Sequence, residues 1–251
     1  MKTALLKVKR AKSHLESLKV AIADYRNLNP NVLYPQHDIH ADTTSWVVKI
    51  SDDVKDEMAL LLGDIIHNAR SSLDILAYSL LLDSGLTPTR RTYFPFIGID
   101  SDLQTKLKET GLDALPSDHL IYFGTHPPSK TSNPALYALH ELDIVDKHRT
   151  IAPVASFVEI EHLVVSSSSG RMGFGSTRTP LADGRCFLGG ISGQIQDSDF
   201  SCVSYPVFTI SDNDLGFDWS HVFPDEKDCI TNQATLLVEA ASSVLSHFYP
   251  D

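Results

Sequence analysis

The sequence predicts an α+β protein: a helical bundle with an N-terminal β-hairpin and a C-terminal β insertion before the closing helix. Apolar side chains recur at helical spacing in several segments, whereas residues 31–50 and about 151–212 are rich in residues that favour strands. The chain has 251 residues, a length that suits one large domain or two small ones. We expect a single domain, 1–251, whose helical core covers about 4–150 plus 228–248.

The first predicted elements are a helix, a hairpin and a second, longer helix. The first helix covers about 4–27, and "NLNPN" ends it. A strand over 46–50, paired with one near 31–34, forms the hairpin. The acids of "SDDVKDE" favour the N-terminus of a helix over about 54–82, because the helix dipole is positive there. The apolar positions of the first helix are Leu5, Val8, Ala11, Leu15, Leu18, Ile22 and Tyr25.

The remaining elements follow from capping and from composition. Short helices are predicted for 100–110 and 116–123. Asn133 caps a helix that has Pro134 at its first position, where a missing N–H costs nothing, and this helix runs to about His148. Three β-like segments then fill the insertion, and an apolar helical pattern over 228–248 closes the chain.

Charge and cysteine content limit the function classes. The net charge is −11, yet the first 20 residues hold six basic residues against one acid, so RNA could bind only through a local basic face. Three widely separated cysteines without a C-x-x-C pattern predict reduced thiols. No apolar run is long enough for a membrane span, and charges interrupt the N-terminus. We therefore expect a cytoplasmic protein without a membrane partner.

The long helix carries a polar stripe of unusual composition within "GDIIHNARSSLDILAY". On a helical wheel, five polar residues fall within an arc of roughly 100°. A solvated face would carry mostly Lys and Glu, whereas these side chains hold geometry through directional hydrogen bonds. Arg70 and Asp74 can pair, as can His67 and Asp64. A hydrogen-bonded helix contact without chemistry is the plainest interpretation. The stripe consists of His67, Arg70, Ser71, Asp74 and Tyr78.

A second polar segment, "HELDIVDKHR", ends the helix that begins at Pro134. One edge carries His140, Asp143 and Lys147, and another carries Tyr137, Glu141 and His148. Asp146 and Arg149 fall on the apparent core face. A buried Asp146 needs a partner, because an isolated buried charge is too costly, and Arg70 or Arg149 is the expected one.

Together the two segments predict a polar cluster at a helix seam. His67 or His148, beside Arg70, could act as a general acid or base on a phosphodiester or another anion. A metal site drawn from His67, Asp74, Glu141 and His148 is a further alternative, although the H-E-x-x-H pattern is absent. We expect no metal and no cofactor. The supporting cluster residues are Asn68, Asp74, His140, Glu141, Asp146, Lys147 and Arg149.

Both segments resemble hallmarks of a family of uncharacterised bacterial proteins. The family's "GDxLHNLRSALDH" with "FPI" is similar to "GDIIHNARSSLDI" at 63–75 with "FPF" at 94–96. Its "PLWLLHELNNIDKHR" is similar to "PALYALHELDIVDKHR" at 134–149. The resemblance covers roughly residues 5–155 and brings no established activity with it.

The family's Arg–x4–His is in turn similar to the R-x4–6-H signature of HEPN helical-bundle ribonucleases of bacterial toxins and phage defence. In those proteins the Arg holds phosphate and the His assists attack of the ribose 2′-hydroxyl. Here Arg70 matches the Arg and Ile75 stands where the His would fall, so His67 or His148 would have to replace it. The resemblance implies a HEPN-like defence or toxin protein that acts on or binds RNA, with ribonuclease-like phosphodiester chemistry if it is an enzyme, and it allows a homo-oligomer. The alternatives are an interaction protein whose polar cluster only fixes the bundle, and a metal- or anion-binding protein.

Overall fold

The computed structural model describes most of the chain and shows a mixed α+β fold. Within the described residues, helices and two small antiparallel sheets alternate along the sequence, as predicted. The chain divides into two compact units, one formed by 1–18, 59–151 and 212–251, the other by 19–58 and 152–211. The expectation of a single domain stays a prediction. The described residues are 2–29, 32–40, 43–50, 52–98, 101–148, 150–151, 153–167, 170–182, 184–186, 188, 195, 200–210 and 229–250.

The predicted helices are all present, with ends shifted by a few residues. Each short segment predicted between the long helix and Asn133 forms one helix, with a 3-10 turn over Leu112–Ala114 between them. Among the described helices, none has the length and apolar content that crossing a membrane requires. The bounds are α1 Lys2–Leu28, α2 Asp52–Asp83, α3 Leu103–Thr110, α4 Ser117–Thr125, α5 Pro134–His148 and α6 Ile230–Phe248.

The buried side of α1 begins one residue earlier than the sequence predicts. Leu5 is 41% exposed, so its assignment to the apolar face is wrong, and Ala4 is buried instead. The reason is helical phase: the buried residues are spaced alternately by four and three, and this spacing reaches Ala4 rather than Leu5. The buried members of the stripe are Ala4, Val8, Ala11, Leu15, Leu18 and Tyr25.

Local capping fixes the ends of the two helices that carry the predicted cluster. Gly85 has φ +73° just after α2, and the N–H of Leu86 donates to the carbonyl of Leu81 at 2.9 Å, which is a Schellman-type ending. At α5, the Asn133 side chain accepts a hydrogen bond from the Leu136 N–H at 3.2 Å, so the predicted cap is confirmed.

The core of the first unit lies among α1, α2, α5 and α6. The apolar side of α2, opposite the polar stripe, is fully buried, and α5 packs against α6. The ring of Phe123 in α4 contacts Phe94 and Phe248, with ring centroids 5.7 and 5.8 Å apart. The buried side chains of α2 include Leu62, Ile65, Ile66, Ala69, Leu73, Leu76, Ala77 and Leu80.

The second unit contains both sheets. Strands β1 and β2 form the predicted hairpin, in register from Leu33 opposite Val48 to Asp38 opposite Thr43, and β6 pairs with β2. In the other sheet the long β3 pairs with β4, β5 and β7. Residues 19–58 therefore cluster with the β insertion. The strands are β1 Leu33–Asp38, β2 Thr43–Val48, β3 Pro153–Ser167, β4 Gly170–Phe174, β5 Thr177–Pro180, β6 Arg185–Cys186 and β7 Phe200–Ile210.

The last turns of α1 and strand β1 are tied to the larger sheet by polar contacts. Arg26 pairs with Glu159 of β3 at 3.0 Å and lies over the Tyr205 ring of β7. The buried Ser204 hydroxyl of β7 accepts hydrogen bonds from the N–H groups of Val32 and Leu33. These backbone groups at the start of β1 therefore have a buried acceptor, which a packed interior requires.

Candidate functional site

Helices α2 and α5 lie side by side and antiparallel, joined by three pairs of residues at regular intervals. A Cβ atom placed on Gly63 would lie 2.7 Å from Asp146 Oδ1. His67 Nδ1 lies 3.2 Å from Asp143 Oδ1, and Arg70 Nε donates to His140 Nδ1 at 3.4 Å. From one pair to the next, the residue number rises by four or three along α2 and falls by three along α5. The two predicted polar segments therefore meet at one seam.

The end of this seam near Arg70 is closed. The Arg70 side chain is 7% exposed, and its Nη1 lies 2.5 Å from Asp74 Oδ1, which confirms the predicted ion pair. Asp74 Oδ1 also accepts the Phe94 N–H at 2.9 Å. The Arg70 guanidinium lies 4.4 Å from the centroid of the Phe96 ring. Charge, hydrogen bond and aromatic contact thus hold this end together from within.

His140 completes the closed end as a neutral ring. Burial, and then the positive charge of Arg70, lower the pKa of His140 from 6.5 to about 4. A neutral imidazole has one nitrogen that accepts, and Nδ1 is the atom that faces the Arg70 donor. The proton must therefore sit on Nε2. This histidine works as a hydrogen-bond acceptor for Arg70 near neutral pH.

The other end of the seam is open to solvent and is centred on His67. The His67 side chain is 51% exposed, whereas the Asp143 carboxylate that holds it is 4% exposed. Lys147 Nζ lies 2.5 Å from the second oxygen of Asp143, and Lys147 itself is 56% exposed. On the far side of the ring, His67 Nε2 lies 3.3 Å from the Ser71 hydroxyl. A buried carboxylate therefore orients a histidine whose other nitrogen faces outward.

Two predictions for α5 are wrong: the placement of Asp143 on an edge of the helix, and the pairing of Asp146 with Arg70. Asp143, predicted on an edge, is the buried acid, while Asp146 is half-buried. Arg70 pairs with Asp74 rather than with Asp146, whose carboxylate rests against Gly63. The line of α5 that faces α2 includes His140, Asp143 and Asp146, and the apolar residues of the predicted core face, Ala138, Leu139 and Leu142, are buried as well, so the buried side of α5 is wider than predicted. Burial, and then the neighbouring Asp143, raise the pKa of Asp146 above its usual range.

Helix α1 supplies a third side of the site. Lys7 Nζ donates to Asn68 Oδ1 at 3.2 Å, and the Asn68 amide donates to the Asp64 carbonyl at 2.7 Å. Asp64 lies 3.9 Å from His14 of α1, so its predicted pairing with His67 is wrong. Asn68 is buried, as expected for a cluster member, but it faces α1 instead of α5. The polar stripe of α2 thus serves two neighbouring helices.

The remaining predicted residues do not join the centre of the cluster in the described contacts. His148 is exposed in the last turn of α5, beyond Lys147, and Glu141 is half-buried on the Tyr137 side of α5. Arg149 lies outside the described residues. The structure therefore gathers His67 and Arg70 on one seam, and it leaves His148 at the helix end.

The contacts of three residues of the candidate site are revealed only by the structure: Asp143, Ser71 and Phe96. Asp143 and Ser71 were visible as polar positions at i±4 from Lys147 and His67, but nothing in the sequence says that Asp143 faces His67. Phe96 belongs to the "FPF" segment, whose spacing from α2 gives no sign of the ring that covers Arg70. In the part of the chain that the structure describes, no cluster of His, Cys, Asp or Glu side chains has the arrangement of a metal site.

Comparison of this chain with protein-family models, with curated proteins and with solved structures found no match.

Proposed function

We propose that the chain is a HEPN-like protein of bacterial defence or toxin type that binds and cleaves RNA at the open end of the seam. The observation that carries this proposal is the exposed His67, held through Nδ1 by the buried carboxylate of Asp143. A histidine held in this way by a carboxylate is suited to general acid–base catalysis, because one ring nitrogen is oriented and the other can take or give a proton.

In this proposal His67 takes the proton of a ribose 2′-hydroxyl. The Nδ1–H group of His67 donates a hydrogen bond to Asp143. The lone pair is therefore on Nε2, the nitrogen that faces solvent and Ser71. The hydroxyl oxygen then attacks the adjacent phosphorus and forms a 2′,3′-cyclic phosphate, the bond from phosphorus to the 5′-oxygen breaks, and that oxygen takes a proton from water while His67 gives its proton to solvent. His67 thereby takes the place of the histidine that Ile75 replaces.

Cations beside His67 would hold the phosphate. Lys147 is more than half exposed next to Asp143, and Lys7 of α1 reaches Asn68, three residues from Ser71. The ammonium group of Lys147, next to the carboxylate that holds His67, favours an anionic substrate locally, although the whole chain is acidic. This arrangement supports the local basic face that the sequence predicts.

Arg70 receives a positioning role in this proposal instead of a catalytic one. Its guanidinium is buried and already engages Asp74, His140 and Phe96, so phosphate could reach it only by breaking these contacts. The same closed end favours a second candidate, an interaction protein in which the cluster only fixes the bundle. The two candidates differ in what the open end does.

The experiment is cleavage of a labelled single-stranded RNA by the parent protein and by His67→Ala, with EDTA present. If His67 is the base, the variant should lose about 10²- to 10⁴-fold in rate while keeping its thermal unfolding temperature. His162→Ala is the matched control, because His162 is another exposed histidine, on β3. A parent protein that cuts no RNA, or a His67→Ala variant that cuts at the parent rate, would eliminate the nuclease.

A further inference from the structure

A hydroxyl, an imidazole and a carboxylate are connected in line across α2 and α5. The Ser71 hydroxyl oxygen lies 3.3 Å from His67 Nε2, and His67 Nδ1 lies 3.2 Å from Asp143 Oδ1. These are the atoms that connect nucleophile, base and orienting acid in serine hydrolases on unrelated folds, where geometry rather than sequence order defines the set. Here the serine and the histidine are four residues apart on one helix, and the aspartate comes from its neighbour.

The ion pair of Asp143 with Lys147 determines the direction of the hydrogen bonds in this line. Lys147 Nζ lies 2.5 Å from Oδ2, so Asp143 is an ion-paired carboxylate that can only accept. The hydrogen shared with His67 must therefore belong to Nδ1. The neutral ring then presents a lone pair from Nε2 toward Ser71, which is the tautomer that a general base needs.

The reactive end of this line is accessible. Asp143 is buried, His67 is exposed and Ser71 is partly exposed, so solvent reaches the base and the nucleophile but not the acid. The backbone of Ser71 is inside the long α2 helix, so oxyanion stabilisation cannot come from its own N–H. The ammonium group of Lys147, bound to Asp143, is the cation of this line that could supply it.

We propose that Ser71 is a catalytic nucleophile, activated by His67 and Asp143, that hydrolyses carboxyl esters. The Ser71 oxygen bonds to the carbonyl carbon as its proton moves to His67 Nε2. The bond from that carbon to the alcohol oxygen then breaks, and His67 returns the proton to the leaving alcohol. Water, losing a proton to His67, next attacks the acyl-serine and releases the acid. This activity goes beyond the proposed action on RNA and does not depend on it.

The first test is labelling with a fluorophosphonate, which forms a bond from the serine oxygen to phosphorus with loss of fluoride. Peptide mass spectrometry should place the adduct on Ser71 in the folded protein and not in the urea-unfolded one. Labelling should vanish in Ser71→Ala and slow by at least about 10²-fold in His67→Ala and Asp143→Asn. Ser17→Ala is the matched control, since Ser17 is an exposed helical serine that bonds only to the carbonyl of Ser13 in the described contacts.

The second measurement is hydrolysis of p-nitrophenyl acetate, with an early burst of nitrophenol that Ser71→Ala removes. Ser71→Ala takes away one hydrogen bond at a half-exposed position, so this variant is expected to fold even if Asp143→Asn does not. Absence of an adduct, or labelling of Ser71 that is equally fast without His67, overturns the inference. A protein that labels at Ser71 and cuts no RNA refutes the proposed function alone. A protein that cuts RNA and is not labelled refutes this inference alone.

Discussion

The ring of His140 lies parallel to the ring of Phe96, with centroids 4.4 Å apart and planes 6° apart. The Arg70 guanidinium lies over the same Phe96 ring and donates to His140. Each of these three groups therefore contacts the other two. This closed triangle marks off the buried end of the polar seam from the solvent-exposed end at His67, where we propose that the chemistry takes place.

The free energy of unfolding should fall in acid because of His140. In the unfolded chain this histidine takes up a proton near pH 6.5, whereas in the folded protein its pKa is about 4. Between these values the unfolded state binds more protons, so stability is complete above about pH 6.5 and is lost as the pH falls toward 4, by up to about 3 kcal/mol. Urea denaturation between pH 4 and 8 measures this loss. His140→Gln should flatten the dependence, and parallel curves for the two proteins would contradict it.

Arg70 should contribute more to stability than its single ion pair suggests. Arg70→Met keeps much of the volume but removes the charge, which leaves Asp74 without its cation, and we expect a loss of about 2–4 kcal/mol. Arg70→Lys keeps the charge but cannot reach Asp74 and His140 together, so about 1–2 kcal/mol should be lost. Arg10→Met on exposed α1 surface is the control and should stay within about 0.5 kcal/mol. Chemical denaturation of the three variants ranks them, and equal stabilities would refute the triangle.

Whether Gly63→Ala raises or lowers the free energy of unfolding should depend on Asp146. A methyl group at Gly63 would come within 2.7 Å of Asp146 Oδ1, so the half-buried carboxylate must move. In the parent we expect a loss of about 1 kcal/mol, whereas in an Asp146→Ala background the helix propensity of alanine should give a gain of up to about 1 kcal/mol. A double-mutant cycle measured by urea denaturation isolates the coupling. Additive effects would show that the two helices do not touch at this point.

The Asn133 cap should stabilise the protein about as much as a typical N-cap does. Asn133→Ala removes the acceptor of the Leu136 N–H and should cost about 1 kcal/mol. Asn133→Asp keeps an acceptor and adds a negative charge at the positive end of the helix, so it should be neutral or slightly stabilising. Thermal unfolding of the two variants makes the comparison. Equal losses in both would mean that the side chain does not cap the helix.

Local signals in the sequence were sufficient for the elements and for contacts within one helix. The Asn133 cap and the Arg70–Asp74 pair both depend on residues close in sequence, and the structure confirms them. The hairpin followed from composition for the same reason.

Contacts between helices could not be predicted at the level of single residues. Asp143 and Asp146 are three residues apart, about 60° on the helical wheel, so a rotation of α5 of this size decides which acid is the more deeply buried, and propensity does not fix that rotation. The packing of Gly63 against Asp146 does fix it, because a residue without a side chain lets α5 approach closely there. The facing of His67 and Asp143 follows from this approach, which is why their partnership was invisible in the sequence.

The double attachment of the "FPF" segment has a consequence for evolution and engineering. The Phe94 N–H is bound to Asp74, and two residues later the Phe96 ring covers Arg70 and His140. Insertion or deletion of one residue between these anchors would move either the Phe94 amide away from Asp74 or the Phe96 ring away from Arg70 and His140. Natural length variation should therefore accumulate in 84–91, before the first anchor, and a cloning tag or loop graft belongs there too.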